Sequence, residues 1–118
     1  NMDNKKSKIE FDIELDENNV PEKMKWNSTD NNEGGDCHAS LISIWDAKTK
    51  NTLKIDLWTK DMKVDDMNIL FHQTMLSMSD TYERATGNDK LAFQMKEFAR
   101  FFGEESGLVD KPEEKPKQ

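Results

Sequence analysis

"HASLISIWDAKTKNTLKIDLW", residues 38–58, decides how the chain is read. Leu53, Ile55 and Leu57 alternate with Lys54 and Asp56, the period of a strand with one wet face. Residues 38–46 are less plain, because Leu41, Ile42, Ile44 and Trp45 suit one side of a helix while Ile42 and Ile44 also suit a strand. The polar stretch "AKTKN", residues 47–51, settles the choice. Two apolar runs around a short polar turn read as a hairpin of strands over 38–46 and 52–58.

Working outward, "KIEFDIEL", residues 8–15, alternates without a fault. Ile9, Phe11, Ile13 and Leu15 form one row and Glu10, Asp12 and Glu14 the other. "DENNVP", residues 16–21, is a turn, and Pro21 is barred from the middle of a ladder. "EKMKWN" places Met24 and Trp26 on one face, with Lys23 and Lys25 set to meet the acids of the first strand. Residues 28–35 read as a loop, in which Gly34 and Gly35 permit positive φ.

From Val64 the period lengthens. Met67, Phe71, Met75, Met78 and Tyr82 recur at helical spacing, with Asp65 and Asp66 in the first turn, where the helix dipole favours negative charge. Gly87 supplies a left-handed stop and Asn88 a cap for a second helix. That helix carries Leu91, Met95, Phe98 and Phe102 on one stripe, with Ala92 and Ala99 alongside, and is expected to end at Gly103 and Gly107.

The fold class expected is α+β, an antiparallel four-stranded meander with one face covered by two C-terminal helices. Neither amphipathic helix is expected to be stable without a surface for its stripe. Residues 1–7 are expected to be flexible, 8–108 to form one domain, and 109–118 to be a disordered charged tail with Pro112 and Pro116.

The 118 residues carry a formal charge of −7, which argues against a nucleic-acid partner and against a bare anionic membrane. Residues 1–36 hold ten acids and five bases, and residues 37–63 hold three acids and five bases. No apolar run approaches the roughly 18 residues of a membrane span. The opening residues lack the apolar centre of a secretory signal. Cys37 has no second cysteine to pair with. The expected address is cytoplasmic.

"NNEGGDCHAS", residues 31–40, holds acids, two glycines and an adjacent Cys37–His38 pair. A calcium loop opening at Asp30 needs a bidentate Glu at about position 12, where Leu41 stands. Cys37 and His38 resemble a thiol with its base, yet neighbours in a strand point to opposite faces. The stretch reads as a glycine turn leading into the hairpin. Asp61, Asp65, Asp66 and His72 are the one set that a metal-dependent hydrolase would draw on, but acids are common at a loop and a helix start. Phosphate loops, nucleophile elbows and dinucleotide fingerprints are absent from the sequence, and no cofactor is expected. Trp26, Trp45 and Trp58 remain, all on strands. Trp45 and Trp58 are expected near each other on the outer face of the hairpin, either as contact anchors for a partner protein or packed as a cross-strand pair.

"VPEKMKWNSTDNNEGGDC", "SIWDAKTKNTLKIDLWTKDMKVDDM" and "FHQTMLSMSDTYERATG" together resemble the gliding-motility protein GldC family, over about Ile9 to Phe102. The resemblance implies a small non-enzymatic accessory protein of the gliding apparatus of surface-motile bacteria, which is coupled to a dedicated protein-secretion system. It transfers no catalytic residues. It does not disclose the molecular partner, which is expected to be another protein of that machinery; a homodimer joined by the same sheet face or an exposed edge strand is the other expectation.

Overall fold

The computed structural model describes residues 3–113. The elements run β1 (Ile9–Leu15), β2 (Pro21–Ser28), β3 (Glu33–Cys37), β4 (Ala39–Asp46), β5 (Asn51–Trp58), α1 (Val64–Thr86) and α2 (Asp89–Glu105). The class is α+β. The chain divides into two compact units, Asn1–Met62 with the strands and Lys63–Gln118 with the helices.

The strands do not make one four-stranded meander. They form two antiparallel sheets, β1-β2-β3 and β4-β5. The strand missing from the sequence reading is β3, which takes the glycines that looked like a loop. Its sequence, EGGDC, has almost nothing apolar to alternate. Pairing makes it a strand: Gly35 lies opposite Trp26 and Gly34 opposite Asn27. A Cβ on Gly34 would stand 2.5 Å from the Trp26 carbonyl oxygen, so only glycine lets the two backbones approach this closely. Positive φ is not what these glycines supply. In the turn before β3 that conformation falls to Asn32, with φ 50°.

The register of β1 on β2 is as the alternation required. Phe11 faces Trp26, Ile13 faces Met24, Asp12 faces Lys25 and Glu14 faces Lys23. One face is therefore apolar and the other carries opposed charges. The connecting turn is held by Asp16, whose carboxylate accepts the backbone N–H of Asn18 at 2.7 Å and of Val20 at 3.0 Å. In the β4–β5 turn Asp46 plays the same part, accepting the Thr49 backbone N–H and hydroxyl, each at 2.7 Å. Both carboxyls are held below their usual range, Asp16 by the Val20 and then the Asn18 N–H, and Asp46 by the Thr49 N–H and then its hydroxyl.

In the helical unit the expected caps are present. Gly87 adopts φ 73° and donates its N–H to Glu83 at 2.8 Å, and the Asn88 side chain accepts the Leu91 N–H at 3.0 Å. Two features differ from the sequence reading. First, α2 runs through Gly103 to the Ser106 cap, and of the two expected stops only Gly107, with φ 79°, stands at the helix end. Gly103 is buried beside His72, and a Cβ there would stand 2.7 Å from the His72 Nε2. Second, the buried row of α2 is Ala92, Ala99 and Gly103, one position along from the large stripe. Ser79 of α1 closes the contact, its hydroxyl donating to the Ala92 carbonyl at 2.7 Å. Leu91 and Phe98 stay 50% and 57% exposed. Small side chains let two helices approach closely, while Met95 and Phe102 of the large stripe are half-buried.

No helix among the described residues is long and apolar enough to cross a membrane. Of the charged tail, residues 114–118 lie outside the described residues. Lys111 meets Glu105 at 2.6 Å.

Candidate functional site

The β4–β5 ladder fixes where the tryptophans stand. Ile42 faces Ile55 and Ile44 faces Leu53, so these residues share one side of the hairpin. Leu41, Ser43 and Trp45 share the other with Trp58, Asp56, Lys54 and Thr52. Trp45 and Trp58 are thus on one face, as the alternation predicted. They are not neighbours. Trp45 lies opposite Thr52 and Trp58 opposite Ala39, at the two ends of the ladder. Six residues of strand separate those levels, about 20 Å. A cross-strand tryptophan pair is excluded by this register. The sequence reading missed the separation because strand-to-strand distance depends on the pairing, which alternation alone does not give.

Between the two rings the face carries Leu41, Ser43 and an ion pair joining Lys54 to Asp56. Trp45 is 65% exposed and Trp58 53%. Trp26 is placed differently. It is half-buried on β2, opposite Phe11 on one side and Gly35 on the other, and belongs to the apolar face of the three-stranded sheet.

A polar groove of about 600 Å³ gathers nine titratable residues of the sheet unit, Glu22 among them. Asp12, Glu14, Lys23, Lys25 and Asp36 line it from the charged face of β1-β2-β3, with Cys37, His38 and Asp61 beside them. Cys37 and His38 do meet the same groove. The thiol is nevertheless unsuited to attack, because burial and then the neighbouring Asp36 carboxylate push it above its usual range. Two of the groove carboxylates, Asp12 and Glu14, lie opposite Lys25 and Lys23 across the ladder.

Among the described residues no three His, Cys, Asp or Glu side chains converge as a metal set. Of the hydrolase candidates, Asp61 belongs to the sheet unit and Asp65, Asp66 and His72 to the helical unit. Within α1, Asp65 and His72 share a side of the helix but stand about 10 Å apart along its axis, and Asp66 is turned away from both. The His72 ring is taken up against Gly103. The Asp30 carboxylate of the supposed calcium loop accepts the Ser7 hydroxyl instead.

What distinguishes the sheet unit is therefore an exposed aromatic face. The family model of gliding motility-associated GldC-like proteins matches residues 21–108, most of the chain and all but the first strand of the fold. The chain belongs to the GldC-like family. No curated protein sequence and no solved structure matches it significantly. The family match spans β2 through α2 and so includes the whole β4–β5 hairpin with Trp45 and Trp58.

Proposed function

We propose that the protein is a non-enzymatic accessory component of the bacterial gliding motility machinery. In this reading it acts as an adaptor, binding another protein of the gliding or associated secretion apparatus through the outer face of the β4–β5 hairpin. The observation that carries the reading is the disposition of Trp45 and Trp58. Both are more than half exposed, on one face, at opposite ends of a strip whose middle is the Lys54–Asp56 ion pair. Tryptophan is a preferred anchor of protein interfaces, and two anchors about 20 Å apart fit the span of a standard interface of about 800 Å² per partner. Trp26, half-buried beside Phe11, contributes less. In this reading the protein works in the cytoplasm.

The test replaces both residues, Trp45→Ser and Trp58→Ser. Capture of the partner from lysate of gliding cells is expected to fall at least about tenfold, as for the loss of interface anchors. Circular dichroism and melting temperature are expected to stay close to those of the parent. Undiminished capture by the folded variant overturns the reading, and so does a variant that fails to fold while its folded fraction still binds.

A further inference from the structure

β1 ends the three-stranded sheet, so one of its edges is paired with β2 and the other has no strand partner among the described residues. The direction of its backbone groups follows from the residue before it. The Lys8 carbonyl accepts the Thr29 N–H at 3.0 Å, in step with the Ile9–Ser28 register. In an antiparallel ladder residues alternate between inward and outward backbone groups. Lys8, Glu10 and Asp12 therefore turn theirs to β2, and Ile9, Phe11 and Ile13 turn theirs to the open edge. The register is regular as far as Glu14 and breaks only between Glu14 and Leu15. The strand contains neither proline nor lysine, and what guards its edge is the acidic row Glu10, Asp12 and Glu14 and the register break at Glu14/Leu15. Ile9, Phe11 and Ile13 are each more than a third exposed.

The inner edge shows what such a strand pairs with. β2 alternates Lys23 and Lys25 with Met24 and Trp26. Lys25 lies between Asp12 and Asp36, and Lys23 lies opposite Glu14. Strand side chains stand on the two faces of a sheet and are shared by the neighbours at both edges. The outer edge consequently offers the same acidic row and the same apolar row. A second copy of β1, paired antiparallel, would set acid against acid, which disfavours self-pairing here. Glu10 has a further neighbour in Lys8, at 3.7 Å, so Asp12 and Glu14 carry most of the preference.

We propose that the open edge of β1 accepts an extended segment of a partner protein in which lysine or arginine alternates with large apolar residues. The segment adds a strand, its main chain bonding Ile9, Phe11 and Ile13, its bases beside Asp12 and Glu14. This edge is separate from the Trp45–Trp58 face and is tested without it.

The probe is a synthetic peptide copying residues 21–28, PEKMKWNS, titrated into the full chain. Amide exchange at Ile9, Phe11 and Ile13 is expected to slow at least about fivefold, with Glu10 and Asp12, already paired, unchanged. The same peptide with Lys23→Glu and Lys25→Glu is expected to bind about tenfold more weakly, and salt to weaken the parent peptide. In the chain, Asp12→Asn with Glu14→Gln is expected to reduce binding severalfold without loss of fold. The double variant Trp45→Ser, Trp58→Ser is expected to bind the peptide as the parent does, so failure of the adaptor reading and failure of this one are distinguishable. Equal binding of the two peptides, protection at β4–β5 instead of β1, or no binding at millimolar peptide overturns the proposal. Loss of protection at Lys23, Lys25 and Asn27 of β2, the mark of a peptide displacing that strand from β1, overturns it too.

Discussion

Gly34 in the sheet unit and Gly103 in the helical unit both permit a close approach, but against different neighbours. Behind Gly34 is a carbonyl oxygen of the adjacent strand, and behind Gly103 is an imidazole ring. A carbonyl is fixed by its ladder, whereas a ring can turn if space exists. The strand that carries Gly34 is an edge strand, free to peel away. The helix that carries Gly103 is held by a buried row of Ala92, Ala99 and Ser79. The harder neighbour thus sits in the softer element. A steric fault should cost more where the element cannot leave, so the surroundings of the two glycines, more than the clash distances, decide the damage.

The largest effect expected is at the helical contact. Gly103→Leu should destabilise the chain by about 3 kcal/mol, the upper range of overpacking, read as a lower urea midpoint by circular dichroism. Adding His72→Ala should return part of that loss if the ring is the obstacle. A purely additive double variant would break the account.

Gly34→Val should cost about 2 kcal/mol or less and act locally, with β3 amides exchanging faster than those of β1. Gly35→Val is the control. Nothing lies within 4 Å of its Cβ, so its stability should change by about 0.5 kcal/mol at most. Equal effects at the two positions would remove the close-approach reading of β3.

Asn88→Ala should cost about 1 kcal/mol through the lost N-cap bond to Leu91. Ser79→Ala should cost a similar amount, about 1 kcal/mol, through the buried bond to Ala92. Both are read by thermal melting.

The smallest effect is in the turns of the sheet unit. Asp16 and Asp46 titrate below their usual 3.8 in the folded chain, so their bonds stabilise the turns above about pH 4 and fade as pH falls through the lowered values. Acid melting followed by tryptophan fluorescence should therefore show a gradual loss below pH 4, flattened in Asp16→Asn with Asp46→Asn. The helical unit has its own acid-sensitive group in Glu97, lowered by its bonds to Arg100, but on an exposed face.

Much of the architecture was legible in local pattern. The rows of β1, the hairpin of β4 and β5, the left-handed Gly87 and the Asn88 cap all express preferences that a few neighbouring residues hold by themselves. Two positions show where that ends. Gly103 looked like a helix stop, because glycine favours helix ends, and became an interior contact once His72 stood opposite. Gly34 looked like a loop, because nothing nearby alternates, and became a strand once β2 lay alongside. In the candidate site, alternation put Trp45 and Trp58 on the same face but left their separation open, since only the pairing of the two strands assigns them to opposite ends.

Sequence by itself determined the α+β class, the faces of each strand, the helix caps and the absence of a recognisable catalytic motif, because those depend on spacing and residue type. The tertiary structure alone decided the third strand, the row of small residues that joins the helices and the distance between the tryptophans. These depend on which backbone comes to lie beside which, and a one-dimensional pattern carries no measure of that approach.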